Sequence, residues 1–128
     1  MRIVVVTNKT LPRNGKNELD TGIHYLIKPI VSLGHIVELF DTVHPEKPFS
    51  TIIDDFRPDL VFCCLTGNPN HTPYEPLHSI LRLTRLGKVK TSNWFCDDTW
   101  RFNSFSSPIC WAFDHCSTPE PSYVEKYK

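Results

Sequence analysis

Short apolar runs alternate along the chain with longer segments in which apolar residues recur at helical spacing. Residues 2–6 (RIVVV) form an unbroken β-branched run, which is typical of a strand covered on both faces of a parallel sheet. A polar loop at residues 7–16 follows this run. Residues 18–35 then predict a helix that is kinked at Pro29 and ends at Gly34. The apolar residues at helical spacing in this segment are Ile23, Leu26, Ile27, Ile30 and Val31.

The same alternation continues to the end of the chain. Further strands are predicted at residues 36–41, 59–65, 89–95 and 109–113, and further helices at residues 48–56 and 74–86. Strands and helices that alternate through short connections indicate an α/β, Rossmann-like three-layer domain. We expect a five-stranded parallel sheet in the order 3-2-1-4-5. Its buried centre is predicted to contain Ile3, Val4, Val5, Leu60, Val61 and Phe62.

Length and composition favour one domain spanning residues 1–128. A chain of 128 residues with 40% hydrophobic content is too short for two ordinary domains. The opening MRIVVVTNKT lacks the apolar length of a signal peptide or a membrane span, so we expect a cytoplasmic protein without a membrane span. The ending carries the capping-box spacing Ser122-x-x-Glu125 almost at the last residue, and we expect that the chain is truncated.

Charge and motifs narrow the class of ligand. Fourteen basic and fourteen acidic residues cancel, so no overall field attracts nucleic acid or an anionic membrane, and no nucleic-acid partner is expected. The first loop contains neither GxGxxG nor GxxxxGK[ST], so no nucleotide cofactor is expected. The five cysteines form no CxxC or CxxH pair. We interpret them as reduced core thiols and expect no bound metal.

The clearest candidate chemistry is the stretch WFCDDTWRF after the fourth predicted strand. Asp97 and Asp98 would leave the sheet at its carboxyl edge, where parallel α/β sheets bind ligands. We expect Asp98 to accept backbone amides at the start of a helical turn, and Asp97 to face the cleft as a general base. The flanking rings of Trp94 and Trp100 either fill the core or bind a sugar face. Arg101 is expected to keep one aspartate ionised or to contact phosphate.

Other candidates lie on neighbouring loops of the same predicted edge. The segment LTGNPNHTPYEP offers Asn68, His71 and Tyr74 to a hydroxyl-rich ligand, although a plain surface turn has the same composition. His24 on the first helix is either a ligand contact or a surface histidine. The backbone at Gly15 and Gly22 could approach a donor phosphate, or these glycines serve turn geometry alone.

Several segments, in their order along the chain, resemble one family. These segments are RIVVV, TGIHYLIKPIVSLGHIVELFD, FRPDLVF, GKVKTSNWFCDDTWRF and FDHCSTPEPSYVEKYK, and together they span nearly the whole chain. They resemble the amino-terminal half of bacterial glycosyltransferases of the GT-B type, especially the family-1-like group related to the spore-maturation protein CgeB. The most specific part of the resemblance is WFxDDxWRF followed by the T-x-x-P-x-x-x-x-K-Y ending.

The resemblance implies an acceptor-side domain of a glycosyltransferase, which is inactive by itself. A carboxyl-terminal half would bind the nucleotide-sugar, and the amino-terminal half would bind a carbohydrate or another hydroxyl acceptor. Asp97 is then the candidate catalytic base. The acceptor contacts would be Asp98, Trp94, Trp100, Arg101, Asn68, His71, Tyr74 and His24.

The alternative is a stand-alone flavodoxin-like module that binds a ligand or regulates a partner without catalysis. Within this class, a phosphate-receiver domain needs acids after the first strand and a lysine after the fifth. The first loop here reads TNKTLPRNG, and no lysine lies between Lys90 and Lys126, so this chain does not fit a receiver.

Overall fold

A computed structural model of the chain describes residues 1–13, 16–19 and 22–128. It is an α/β structure with a five-stranded parallel sheet and a separate two-stranded hairpin. The strands in chain order are β1 (Arg2–Thr7), β2 (Thr10–Arg13), β3 (Lys16–Leu19), β4 (Ile36–Asp41), β5 (Leu60–Cys63), β6 (Lys90–Trp94) and β7 (His115–Ser117). The helices are α1 (Lys28–Ser32), α2 (Phe49–Phe56), α3 (Leu77–Leu86), α4 (Asp98–Arg101) and α5 (Ser107–Ile109).

The main sheet confirms the expected α/β class and its five parallel strands. Its order is β4-β1-β5-β6-β7, so the main-sheet strands, counted along the chain, run 2-1-3-4-5. The predicted order 3-2-1-4-5 differs from this in the place of the third strand, which pairs with β1 rather than lying beyond β4. The different burial of β4 and β5 explains this strand order. The middle of β4 carries Glu38 and is half-buried, which suits an edge, whereas β5 (LVFC) buries Val61 and Cys63 completely.

The core lies against one face of this sheet. Register places Val4 of β1 beside Val61 of β5, and Val6 beside Cys63, and all four side chains are fully buried. Phe49 and Ile52 of α2 and Ile80 of α3 belong to the same buried cluster. On the other face Ile3 and Val5 are also buried, as expected for a central strand, whereas Leu60 and Phe62 are half-buried.

The first predicted helix begins later than expected. Residues 16–19 form strand β3, which pairs antiparallel with β2, so the hairpin takes the place of the loop and of the predicted first helical turn. Helical structure starts with a π-helical turn, Ile23–Ile27, which continues into α1. The amide of Lys28 closes this turn on the carbonyl of Ile23, one residue before Pro29. Pro29 has no N–H for a regular helical bond, and the wider turn is placed directly ahead of it.

The fifth predicted strand is also displaced. Residues 109–112 lie in the end of α5 and in a 3₁₀ turn, Cys110–Ala112, Phe113 follows as its C-cap, and the strand β7 that completes the sheet comes at His115–Ser117. Pro108, at the start of α5, suits a first helical turn and not a central strand. Ala112 and Phe113 still enter the core, whereas Trp111 between Cys110 and Ala112 is 60% exposed, so the apolar run is buried only in part and in another conformation.

The chain then ends in a 3₁₀ segment, Pro121–Tyr127. The expected capping box at Ser122 is absent from this segment, in which Glu120 is the N-cap and makes no side-chain capping bond. Instead, Tyr127 anchors the segment by stacking on Phe95, with ring centroids 5.5 Å apart and an interplanar angle of 27°.

Candidate functional site

The strand order determines which loops border the crevice of the sheet. From β1 the neighbours are β4 on one side and β5 on the other, so the topological switch point lies between β1 and β5. The loops that begin at Asn8 and Cys64 therefore border it. The turn after β6, which carries Asp97 and Asp98, lies one strand further along the same carboxyl edge. In the predicted order this turn would have bordered the crevice directly.

Asp98 is a buried structural centre of this turn. Its side chain is fully buried and accepts hydrogen bonds from the Ser106 hydroxyl at 2.5 Å and from the Tyr127 hydroxyl at 2.7 Å. These two hydroxyls, and not the expected backbone amides of a helix start, satisfy the carboxylate. They connect α4 to the segment after it and to the end of the chain. Burial, followed by the hydrogen bond to Asp98, raises the pKa of Tyr127 well above its usual value.

Asp97 occupies a different environment although it is adjacent in sequence. Its carboxylate is 41% exposed and lies 3.7 Å from the Arg101 guanidinium, whose side chain is 19% exposed. The two residues are the N-cap and the last residue of α4, and the amide of Arg101 also donates to the Asp97 carbonyl at 2.9 Å. The turn therefore presents a solvent-accessible carboxylate beside a positioned guanidinium.

Arg101 joins the turn after β6 to the loop after β5. Its guanidinium donates to the carbonyl of Thr66 and lies 4.4 Å above the ring of Phe105. The ring of Trp100 is 5.4 Å away and is mostly exposed. These contacts fix Arg101 by hydrogen bonding on one side and by ring stacking on another, so it is a rigid part of the edge.

The loop after β5 is organised by Glu75. Its carboxylate accepts from the amide of Thr66 at 2.6 Å, from the amide of Gly67 at 3.0 Å and from the Thr72 hydroxyl at 2.8 Å. Because the Glu75 carboxylate binds two consecutive amides and a hydroxyl of the same loop, it stabilises the compact conformation of that loop. We call residues 66–75 the Glu75 loop, and together with Asp97, Trp100 and Arg101 they form the rim site.

Three predicted ligand contacts lie on the Glu75 loop. The side-chain oxygen of Asn68 accepts a hydrogen bond from the amide of Asn70 at 3.0 Å. Asn68 therefore stabilises a surface turn, the alternative that the composition of this segment left open. His71 is exposed, and Tyr74 is 56% exposed while its amide donates to the Thr42 carbonyl at 3.1 Å. His71 and Tyr74 therefore present free side-chain surface, whereas Asn68 is committed to the turn.

The remaining predicted contacts are distributed along the chain. Trp94 is the last residue of β6 and is 37% exposed. His24 lies in the π-helical turn, where its Nδ1 is 3.1 Å from the Lys28 ammonium. Gly22 precedes that turn, and Gly15 lies outside the described residues. Within the described part of the chain, the hydrogen bonds and ion pairs of Asp97, Arg101 and Glu75 do not include His24.

Two open cavities lie near this edge, and neither is lined by Asp97, Trp100 or Arg101. One, of about 600 Å³, is bordered by β4 and by residues 9–10, which follow β1, and it carries both signs of charge, from Lys9, Asp41 and Lys47 among others. The second, of about 430 Å³, includes Tyr74 and Glu75 in its wall. Mixed charge over a cavity favours a neutral polar ligand over a polyanion. The Glu75 loop thus borders the second cavity, whose volume is large enough for a monosaccharide.

Glu75 and its threonine partner were missed by the sequence reasoning, although a signal was present. Thr72-x-x-Glu75 has the spacing of a capping box immediately ahead of α3. In the structure the Thr72 hydroxyl donates to Glu75, and the Glu75 amide lies 3.4 Å from the Thr72 carbonyl. That spacing would have identified Glu75 as the organiser of the loop.

Among the residues that the structure describes, no group of three or more His, Cys, Asp or Glu side chains is arranged to hold a metal ion. The described helices are all too short and too polar to cross a bilayer. No family model matches the chain, and no curated protein and no solved structure matches it either.

Proposed function

We propose that this domain binds the hydroxyl-bearing acceptor of a glycosyltransferase of the GT-B type, with the rim site as its acceptor site. The observation that carries the proposal is the accessible Asp97–Arg101 pair beside the exposed indole of Trp100. A carboxylate and a guanidinium recognise vicinal hydroxyls by hydrogen bonding, and an aromatic ring covers the apolar face of a sugar. This combination suits a carbohydrate better than it suits a nucleotide.

Under this proposal Asp97 is the general base that takes the proton of the attacking hydroxyl. Its partial exposure leaves the carboxylate open to a ligand, and Arg101 keeps it oriented. The buried carboxylate of Asp98 stabilises the turn through its hydrogen bonds with Ser106 and Tyr127. His71 and Tyr74 contribute hydrogen-bonding groups from the Glu75 loop. The donor nucleotide-sugar would be bound by a second, carboxyl-terminal half.

The test is a titration of the 128-residue chain with a panel of monosaccharides and oligosaccharides, followed by NMR of the backbone amides. We expect shifts at residues 97–101 and in the Glu75 loop. Trp100→Ala should abolish them, while the matched control Trp111→Ala, which removes another ring that is 60% exposed, should not. UDP-, GDP- and dTDP-sugars should bind no more tightly than about 1 mM, or about 4 kcal/mol.

Two results would overturn the proposal. One is the absence of saccharide-dependent shifts at millimolar ligand. The other is micromolar binding of a nucleotide-sugar by this chain, because the division of donor and acceptor between two halves would then not hold.

The strand order supports a second candidate, a stand-alone flavodoxin-like ligand-binding module. The order 2-1-3-4-5 is that of flavodoxin-like domains, whose ligands bind at the switch point between the first and third main-sheet strands. Here that point lies between β1 and β5. A ligand that shifts the amides of residues 7–10 and 64–66 without shifting residues 97–101 would favour this alternative over an acceptor site.

A further inference from the structure

We propose that Cys64 and Cys96 form a reversible disulfide on mild oxidation, which cross-links the two loops of the carboxyl edge beside the rim site. Neither residue takes part in a disulfide in the structure. The proposal is independent of whether the rim site binds a carbohydrate, because it concerns the thiols and not the ligand.

Strand pairing places the two cysteines at the same edge of the sheet. Parallel strands β5 and β6 are neighbours with Cys63 opposite Asn93, so Cys64 and Cys96 follow the ends of adjacent strands. Continued by one residue, this register places Cys64 opposite Trp94, two residues before Cys96, so the thiols meet through the turn that follows β6. The Cys64 thiol hydrogen-bonds to Cys96, so the side chains are directed toward each other.

The backbone around Cys64 is fixed, and the thiol of Cys96 is accessible. The Cys64 amide donates to the Val6 carbonyl at 2.9 Å, which holds the residue against β1. Cys96 is exposed, whereas Cys64 is half-buried. The hydrogen bond from Cys64 lowers the pKa of Cys96, against the opposing effects of partial burial and of the neighbouring Asp97. An exposed thiol with a lowered pKa beside a second thiol is the arrangement of an attacking cysteine and its resolving partner.

The other cysteines are less suited to this chemistry. Cys63 is completely buried, and burial raises its pKa. Burial, with the nearby Cys110 and Asp98, raises the pKa of Cys116 to about 12. Among Cys63, Cys96 and Cys116, only Cys96 has a lowered pKa, so it forms a thiolate most readily of the three.

A peroxide supplies the oxidant in the balanced reaction. The Cys96 thiolate attacks one peroxide oxygen, the O–O bond breaks, hydroxide leaves, and Cys96 becomes a sulfenic acid. The Cys64 sulfur then attacks the Cys96 sulfur and the S–O bond breaks. The departing oxygen takes the Cys64 proton and leaves as water. The two thiols lose two electrons, and the peroxide is reduced to water.

The first experiment treats the native chain with hydrogen peroxide, caps the remaining thiols in denaturant and maps the peptides by mass spectrometry. We expect an intramolecular Cys64–Cys96 cross-link, reversed by dithiothreitol. Cys110→Ser, which removes another half-buried thiol, should leave the cross-link unchanged. A first disulfide at any other pair, a disulfide between two chains, or oxidation of Cys96 with Cys64 still free would each overturn the proposal.

The second experiment separates the hydrogen bond from the cross-link. Limiting iodoacetamide should alkylate Cys96 at least about tenfold faster than Cys116. Cys64→Ser keeps a donor and should retain this reactivity while losing the disulfide, whereas Cys64→Ala should lose both. Equal alkylation of Cys96 in the serine and alanine variants would show that Cys64 does not activate Cys96, and would overturn the assignment of the pair.

Discussion

The hydroxyl of Tyr127 donates a 2.7 Å hydrogen bond to the buried carboxylate of Asp98, 29 residues earlier in the chain. The Tyr127 ring stacks on Phe95 at the end of β6 and meets Phe102 edge-on. The end of the described chain is therefore tied to the turn that carries the rim site. Since a buried carboxylate is stable when its hydrogen-bond partners are complete, this contact maintains the conformation of the turn.

Removing the Tyr127 hydroxyl should weaken the fold measurably. Tyr127→Phe retains the ring stacking but deprives a buried charged acceptor of one of its two hydroxyl partners, so the free energy of unfolding should fall by about 1.5–3 kcal/mol. The matched control is Tyr123→Phe, because the Tyr123 hydroxyl is 3.5 Å from the Thr99 carbonyl and contributes little. Urea unfolding of both variants measures the difference. Equal losses would contradict the assigned role of Tyr127.

Gly67 should not tolerate a side chain. Its φ of +63° lies in the left-handed region, and a methyl group built on it overlaps the ring of Phe105. Gly67→Ala therefore combines backbone strain of about 1–2 kcal/mol with a steric conflict of about 1–3 kcal/mol. Gly87→Ala has nearly the same φ, +62°, with no atom within 4 Å of the added methyl, and should cost the backbone strain alone. Thermal denaturation of the two variants tests this, and similar losses would exclude the Phe105 conflict.

Asp114 should make stability depend on pH in the acid range. Partial burial opposes its ionisation, but hydrogen bonds from the amide and hydroxyl of Thr91, together with nearby Lys90, lower the pKa of Asp114 below its ordinary value of 3.8. A lowered folded-state pKa gives stability that is present above the ordinary pKa and is lost as pH falls through the lowered one.

Asp114→Asn should accordingly destabilise the protein more at pH 7 than at about pH 3, when urea unfolding is followed at both values. Thr91→Val removes one of the donors and should show the same trend with a smaller amplitude. A destabilisation by Asp114→Asn that is equal at the two pH values would contradict this interpretation.

The sequence predicted the fold well where periodicity was strong. The strand over residues 36–41 was confirmed with its boundaries, and the helix over residues 48–56 was confirmed apart from Pro48, which is the N-cap of α2. The predicted end of α3 at Gly87 was also confirmed, since Gly87 is the left-handed C-cap. These elements bury one regular face, so the spacing of apolar residues carries the information.

The missed elements lack such a face. Strand β7 is three residues long and reads HCS, so its backbone pairing with β6 leaves no apolar alternation to detect. The order of the sheet is likewise set by pairing between distant segments. The continuous run at residues 60–63 indicated a central strand, which is incompatible with an edge position for the third strand, and that conflict could have corrected the order.

The candidate site was predictable in part. The WFCDDTW motif located the turn, and the different environments of its two acids were anticipated because adjacent side chains at a turn diverge. The partners of Asp98 were not predicted, since Ser106 and Tyr127 approach through tertiary packing and follow no local spacing. The contact between Arg101 and Thr66 has the same origin, because it joins loops 35 residues apart.

The two aspartates should therefore separate stability from ligand binding. Asp97→Asn removes an ion pair whose carboxylate is 41% exposed and which contributes about 0–1 kcal/mol to stability, so the melting temperature should stay nearly unchanged while saccharide-dependent NMR shifts disappear. In an enzyme that also contains a donor-binding half, turnover should fall roughly a hundredfold, as on loss of a general base.

Asp98→Ala leaves the Ser106 and Tyr127 hydroxyls without their acceptor and should lower the free energy of unfolding by more than about 2 kcal/mol. Its saccharide binding, measured at a temperature where it remains folded, should be retained. If Asp97→Asn proved the more destabilising change, or kept normal saccharide binding, the accessible carboxylate would have no role in recognising the acceptor.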